Sequence, residues 1–258
     1  MPDEPDERRF DRKIAEFGIR IRDEDQWKVR EDVFDEVTLL ALYRLVHKKR
    51  ITTFGGPVST GKEGNVFYGE WDGRPLAIKI YLIRTANFRA MTEYIDGDPR
   101  FSHIRRSRKE IIFAWTRKEF SNLKRAMKAG VPVPEPYSFD RNILLMQFLG
   151  REQVPYPQIR DVELPDPGGT YREIVGHIEV LFSRARLVHG DLSEYNILFG
   201  DRPYLIDMGQ AVTPDHPRAL QFLIRDIRNI NRFFSDKCDV IGEQEIFQGI
   251  AGERLTGP

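Results

Sequence analysis

The chain has 258 residues, 40% of them hydrophobic, and its 40 Lys and Arg residues balance 40 Asp and Glu residues. This length suits one large domain or two small lobes, and the zero net charge gives no indication of wholesale nucleic-acid or membrane binding. One cysteine excludes an intrachain disulfide framework and a Cys-rich zinc site, and since no apolar run suits a membrane span or a signal peptide, we expect a cytoplasmic protein with no membrane partner.

The first part of the chain is predicted to be an arm followed by a helix. Residues 1–34 form the predicted N-terminal arm, because charged residues dominate residues 1 to about 24 and apolar periodicity is weak there. From Asp35, apolar residues recur at helical intervals up to the basic run 47–50, which suits a helix C-terminus. We expect an amphipathic helix that covers one face of a sheet.

Residues 51–82 predict three β-strands, around residues 54–58, 65–69 and 76–81. Their first connection contains glycines and hydroxyl side chains and runs into the second strand: Ser59, Thr60, Gly61, Lys62, Glu63, Gly64, Asn65 and Val66. Because glycine lets backbone N–H groups approach a polyphosphate closely, this loop is a candidate phosphate site. It is not a Walker loop, since Glu63 follows the Gly-Lys pair and a strand follows the loop. An ordinary polar hairpin explains it equally well.

A lysine interrupts the third strand, and a helix that follows supplies a partner for it. Lys79 lies among apolar residues, so its side chain either reaches solvent or meets a buried acid or a phosphate. The predicted helix spans residues 109–129 and ends at Gly130. We choose Glu119, at the edge of the apolar stripe, as the partner of Lys79 over Glu110, whose place in the first turn is explained by the helix dipole.

Residues 84–108, between that strand and that helix, are predicted to form a long mobile loop. The loop contains a turn at residues 96–99 and an arginine cluster, which consists of Arg100, Arg105, Arg106 and Arg108. A solvated loop is the simpler interpretation. A docking surface for RNA phosphate or an acidic protein is the alternative.

The sequence after Gly130 predicts two more strands and then a mainly helical region. The strands cover residues 137–139 and 143–148, and the break at Leu149-Gly150 suits a hinge. Backbone groups of Gln147, Phe148 and Leu149 are therefore candidates for binding adenine. Helices are predicted over residues 170–186 and 217–234, whereas the polar tail from Cys238 onward receives no role. We place an N-lobe with its leading helix at residues 35–149 and a reduced C-lobe at residues 150–258.

Oxygen-bearing side chains flank a predicted hairpin at residues 195–206. Asp191 and Asn196 lie in the polar loop before it and at its start, and Asp207 follows its second strand. Two carboxylates and an amide oxygen are ligands that Mg²⁺ takes while leaving room for phosphate oxygens. The spacing matches the order of a protein-kinase catalytic loop and metal-binding turn. An ordinary turn, with Asp and Asn bonding their own backbone, is the alternative.

Taken together, these motifs resemble the RIO family of atypical protein kinases, in particular its minimal archaeal branch without a winged-helix domain. The resemblance rests on the loop from Ser59, the strand around Lys79, the Lys-Glu-Phe of residues 118–120, and the runs 189–196 and 206–210. It implies an α+β, bilobal protein-kinase-like fold with an antiparallel-sheet N-lobe. By resemblance, Asp191 and Asp207 are catalytic, Asn196 and Asp207 bind metal, Lys79 positions phosphate, and ATP with Mg²⁺ or Mn²⁺ are the cofactors.

The family also implies serine kinase activity with autophosphorylation, ATPase activity, transient phosphorylation of Asp207, and a role in maturation of the small ribosomal subunit, whose precursor is the expected partner. Two alternatives stay open: an ATP-driven assembly switch on ribosomal particles, and a small-molecule phosphotransferase. A binding module without chemistry is disfavoured because Lys79, Asp191, Asn196 and Asp207 are all present. We expect autophosphorylation, with possible self-association, at Ser107 or Ser102 and less at Thr85 or Thr92.

Overall fold

A computed structural model describes residues 20–21, 35–49, 51–83, 88–101, 104 and 107–255. The described chain is an α+β structure in which a six-stranded sheet precedes a mainly helical region. The sheet has the strand order β1-β2-β3-β4-β6-β5. Its strands are β1 (Arg20–Ile21), β2 (Ile51–Thr60), β3 (Gly64–Trp71), β4 (Arg74–Tyr81), β5 (Pro136–Asp140) and β6 (Ile143–Gln147).

The five strands predicted in the N-lobe are confirmed, and most are longer than expected. Strands β2 to β6 pair with their neighbours antiparallel, whereas β1 pairs parallel with β2. The β3–β4 turn is tight because Asp72 and Gly73 both have positive φ, at 47° and 74°. Apart from β1, the predicted arm 1–34 lies outside the described residues.

Helix α1 (Glu36–Lys49) covers one face of this sheet, as predicted. Asp35 begins the helix by accepting a hydrogen bond from the Thr38 backbone N–H at 2.9 Å. The apolar residues of α1 are buried together with inward-facing sheet residues, namely Leu42, Leu45, Val46, Phe54, Phe67, Ile78, Ile80 and Leu145. The other sheet face carries a smaller apolar cluster at Tyr68, Ala77 and Phe148. Helix α1 does not cover this second face, and the candidate active site lies on that side of the sheet.

The prediction of a long mobile loop at residues 84–108 is wrong for the part of that segment that the structure describes. Helix α2 (Phe88–Asp96) and a 3₁₀ turn (Pro99–Phe101) occupy it, and Met91, Ile95 and Phe101 are buried. They pack against helix α3 (Arg108–Ala129), which ends at Gly130 as predicted. The error arose because the turn at residues 96–99 and the arginine cluster were given more weight than the helical spacing of Met91, Tyr94 and Ile95. Thr85, Ser102, Arg105 and Arg106 lie outside the described residues.

The region after the sheet is built on buried helices. Its elements are β7 (Gly150–Arg151), β8 (Val154–Pro155), a 3₁₀ turn (Ile159–Asp161), α4 (Pro167–Ser183), β9 (Ile197–Phe199), β10 (Pro203–Leu205), α5 (Ala219–Phe234) and α6 (Glu243–Leu255). The predicted hairpin is present as β9 and β10. Helix α6 was not predicted, although its Ile246 and Ala251 are buried in the core. Within the described residues, no helix combines the length and apolarity of a membrane span.

Candidate active site

Lys79 is the centre of a buried charge cluster between β4, α3 and the turn after β10. Its Nζ lies 2.8 Å from Glu119 Oε1 and 2.9 Å from Asp207 Oδ1. Lys79 is 8% exposed and Glu119 is 1% exposed. The two residues therefore form the pair that the apolar context of Lys79 predicted, and the Tyr81 hydroxyl donates to the second oxygen of Glu119. Strand β4, helix α3 and the turn after β10 therefore meet at one ammonium group.

The charges in this cluster stabilise one another. Burial by itself would lower the pKa of Lys79, but the Asp207 and Glu119 carboxylates raise it well above its usual value. Burial would likewise raise the pKa of Asp207, yet the Lys79 ammonium holds it below the usual range. Both groups are therefore charged near neutral pH. Asp207 remains accessible, since 39% of its side chain is exposed.

Asp191 and Asn196 lie together in the loop before β9. Asn196 Nδ2 donates to the Asp191 backbone oxygen at 2.8 Å, which leaves Oδ1 of Asn196 as the free amide oxygen. Burial and the nearby Asp207 carboxylate raise the pKa of Asp191, although Arg225 offsets part of this effect. A carboxyl group with a raised pKa is a better proton acceptor than an ordinary aspartate.

The pair of Asn196 and Asp207 fits a divalent cation that is shared with a nucleotide. Both residues line the same cavity, and 39% of the Asp207 side chain is exposed. Asp207 adopts a positive φ of 62°, which for a non-glycine residue indicates a backbone held in a special position. No group of three or more His, Cys, Asp or Glu side chains in the described ranges could hold a metal alone. Mg²⁺ accepts few protein ligands and takes phosphate oxygens for the rest.

The cavity has a volume of about 660 Å³ and extends from the glycine loop to the residues that follow β6. Of the predicted loop residues, six line it: Ser59, Gly61, Lys62, Glu63, Gly64 and Val66. Thr60 and Asn65 do not line it. Asn65 is buried and its Oδ1 accepts a hydrogen bond from the Gly61 N–H at 3.2 Å, so it shapes the turn from within. Six residues of the loop thus line the cavity, whereas the Asn65 side chain stabilises the turn.

The far end of the cavity is apolar and includes the three candidates for adenine binding. Gln147, Phe148 and Leu149 line it, beside Val58, Ala77, Met146, Leu198 and Ile206. Two backbone groups of these candidates already have partners, because Gln147 N–H donates to Glu135 O at 2.8 Å and Leu149 O accepts from Tyr156 N–H at 2.9 Å. A purine base at this end would use their other backbone atoms.

Buried residues that were not predicted from the sequence hold the loop that contains Asp191. The Asp226 carboxylate on α5 accepts hydrogen bonds from Gly190 N–H at 2.8 Å and Leu192 N–H at 2.9 Å. Burial raises the pKa of Asp226 to about 7. His189 Nε2 lies 3.0 Å from the Ile206 carbonyl oxygen, and burial lowers the pKa of His189 to about 4, so the ring is neutral. Asp226 could have been found from the sequence, because it is a charged residue within the apolar face of α5.

Comparisons with known proteins agree with this geometry. The model of the RIO domain family matches residues 65–245. The chain is 43% identical over 248 residues to the RIO-type serine/threonine-protein kinase Rio1 of Haloferax volcanii, covering 95% of this chain and 85% of that protein. It is 38% identical over 229 residues to Rio1 of Methanocaldococcus jannaschii, covering 88% and 79%. The Rio2 kinase of Chaetomium thermophilum, solved as an ADP/Mg²⁺-phosphoaspartate complex, superposes with a TM-score of 0.62 at 23% identity, over 85% of this chain and 70% of that one. This likeness shows the protein-kinase-like fold.

Proposed function

The chain belongs to the RIO family of serine/threonine-protein kinases, and from that membership we propose that it uses Mg·ATP to phosphorylate serine, its own included, and acts in maturation of the small ribosomal subunit. One observation carries the proposal most directly: Lys79, Asp191, Asn196 and Asp207 line one cavity with the glycine loop. A kinase needs the functions of these groups together, and with the glycine loop they come from four separate stretches of sequence, since Asp191 and Asn196 share one loop.

One group of these residues would bind the nucleotide, and Asp191 would bind the acceptor serine. The apolar end of the cavity receives the adenine, and Lys79 with the glycine loop binds the phosphates. Asn196 and Asp207 would hold Mg²⁺, whose charge neutralises the triphosphate when it is bound. Asp191 orients the acceptor serine and accepts its hydroxyl proton as the serine oxygen bonds to the γ-phosphorus. The bond from that phosphorus to the bridging oxygen breaks, and ADP leaves with the electron pair.

Asp207 has a second proposed role as a transient phosphoryl acceptor, which would make the enzyme an ATPase. The support is its exposed carboxylate, kept ionised by Lys79, and the phosphoaspartate in the complex of the related Rio2 kinase. A carboxylate oxygen would bond to the γ-phosphorus as ADP leaves. Water would then attack the phosphoaspartate and release inorganic phosphate. Each cycle would consume one ATP and one water.

An ATP-driven assembly switch is the second candidate, and the short connection after the metal turn favours it. Only residues 210–218 separate Gly209 from α5, so the chain has no room there for an activation loop or a peptide-docking segment. Such a site would release phosphate in response to a particle more readily than it would phosphorylate peptides.

The test follows the label from γ-labelled ATP, with and without purified precursors of the small ribosomal subunit. Label on serine, in the chain or in a precursor protein, is expected for the kinase. Free phosphate that rises with precursor particles, with little labelled serine, would favour the switch. Mature small subunits are the matched control, and equal turnover with mature and precursor particles would contradict a role in maturation.

Autophosphorylation is predicted at Ser107, which the structure places at the N-cap of α3. Its exposed hydroxyl accepts a hydrogen bond from Glu110 N–H at 3.3 Å, and a phosphate at a helix N-terminus is stabilised by the free N–H groups and the helix dipole. Mass spectrometry after incubation with Mg·ATP is expected to find phosphate on Ser107, and Ser107→Ala is expected to remove most of it. Phosphate only at sites outside residues 84–108 would exclude this segment.

A further inference from the structure

Helix α3 holds the loop that follows the metal turn through that loop's backbone carbonyl groups. Lys118 Nζ donates to Gly209 O and Ala211 O, each at 2.7 Å. Asn122 Nδ2 donates to Met208 O and Ala211 O, each at 2.9 Å. Both side chains are fully buried. Because three carbonyls in four consecutive residues are bound by one helix, this loop has little freedom to move.

The residue between the two carbonyls bound by Lys118 reaches the catalytic aspartate. Gln210 lines the cavity, and its Nε2 donates to Asp191 Oδ2 at 3.2 Å. Asn196 Nδ2 approaches the same oxygen at 3.4 Å. Both of these hydrogen bonds to the Asp191 carboxylate end on Oδ2 and not on Oδ1. One carboxylate oxygen is thus held by the protein, and the other is left for the acceptor hydroxyl.

Lys118 is costly to the fold, which indicates that it does more than fill space. A buried ammonium loses its hydration, and hydrogen bonds to neutral carbonyls replace that hydration only in part. Burial lowers the pKa of Lys118 to about 7, although the nearby Asp98 carboxylate offsets part of this effect. The rings of Trp115 and Tyr94 lie 5.2 Å and 5.9 Å from the Lys118 Nζ. An apolar side chain of similar length would avoid this desolvation penalty, but it would leave the Gly209 carbonyl without the donor that Lys118 supplies.

We propose that Lys118 and Gln210 are positioning residues for Asp191: Lys118 fixes the backbone on both sides of Gln210, and Gln210 holds the carboxylate so that Oδ1 faces the acceptor. This inference rests on the proposed function of Asp191. Glu119, the next residue of α3, binds Lys79 on the nucleotide side. Neighbouring residues of one helix thereby support the two halves of the reaction, Glu119 for the nucleotide and Lys118 for the acceptor.

The test is a double-mutant cycle on phosphoryl transfer, measured with γ-labelled ATP onto the chain itself and onto casein. Gln210→Ala is expected to lower kcat about tenfold or more, as for loss of a hydrogen bond to a charged group. The KM for Mg·ATP should change less than about threefold, because the nucleotide side stays intact. Lys118→Met should lower kcat similarly. In the Gln210→Ala background, Lys118→Met should then lower kcat less than about twofold further, because Lys118 would act on Asp191 only through the side chain of Gln210.

Matched controls replace exposed residues of the same types on helices. Lys128→Met on α3 and Gln221→Ala on α5 are both expected to keep the wild-type kcat. The melting temperature and Mg·ATP affinity of each variant show whether it is folded. If Lys118→Met does not fold, Gln210→Ala alone decides, since its side chain is only partly buried: wild-type kcat, or a loss of kcat matched by an equal loss of Mg·ATP affinity, overturns the proposal.

The double variant gives a further outcome that overturns the role of Lys118. If Lys118→Met lowers kcat by the same factor with and without Gln210, then Lys118 acts elsewhere. Failure of the proposed function looks different from both results. In that case the wild-type chain itself would transfer no label above an Asp191→Ala control, whereas failure of this inference leaves the wild type active and the variants with one of the overturning outcomes given above.

Discussion

Replacing Asp191 with alanine is expected to lower the rate of phosphoryl transfer by about 100- to 10,000-fold, the range that a positioned general base contributes. The affinity for Mg·ATP should stay close to that of the wild type, because Asp191 would contact the acceptor hydroxyl and not the nucleotide. Its carboxylate is bonded to Gln210 and Asn196, and removing it leaves Lys79, Glu119 and Asp207 paired as before. The loss of rate should therefore appear in kcat, with little change in the KM for Mg·ATP.

Two controls make this result specific. Asp191→Asn keeps the size and one oxygen but cannot accept the proton, so its rate should fall nearly as far as that of Asp191→Ala. Asp236→Ala removes an exposed aspartate after α5, whose side chain is 75% exposed, and should leave the rate unchanged. Single-turnover transfer of labelled phosphate and calorimetry with Mg·ATP measure the two quantities. An Asp191→Ala chain that works within a few-fold of the wild-type rate would show that Asp191 is structural.

Much of the cavity could be predicted from sequence because its groups have few physical alternatives. A lysine inside an apolar strand either reaches solvent or meets a buried acid or a phosphate, and of the two helix glutamates Glu110 was explained by the helix dipole. This reasoning selected Glu119, and the structure places it 2.8 Å from Lys79. Likewise, the hairpin between Asn196 and Asp207 brings its two ends together, so sequence spacing specifies proximity in space.

The parts that sequence reasoning missed depend on contacts between distant segments. Lys118 and Asn122 bind backbone carbonyls more than 80 residues away, and any residue type can offer a carbonyl, so no local pattern marks such a partner. Asp226 also acts on backbone groups, at the catalytic loop. Helices α2 and α6 were missed for other reasons. Helix α2 has apolar residues at helical spacing, but it is short and lies in a segment that was predicted to be a loop because of its turn and its arginine cluster. Helix α6 has only weak apolar periodicity, and tertiary contacts stabilise it.

Removing the Asp207 carboxylate is expected to abolish the preference for Mg·ATP over metal-free ATP. In the wild type we expect this preference to be about tenfold or more, because a triphosphate cannot lie beside the ionised Asp207 unless a cation separates the charges. In Asp207→Ala the metal loses its charged ligand, so Mg·ATP should bind less tightly. Calorimetry with Mg²⁺ and with a chelator gives the two affinities for each chain.

The affinity for metal-free ATP is expected to change in the opposite direction. Asp207 repels the triphosphate and also occupies the Lys79 ammonium at 2.9 Å, so alanine removes a repulsion and frees a cation for phosphate. Metal-free ATP should therefore bind Asp207→Ala at least as tightly as it binds the wild type. Asp191→Ala is the matched control and should keep the wild-type preference for Mg²⁺. If Asp207→Ala binds both forms of ATP as the wild type does, the metal is not held at this turn.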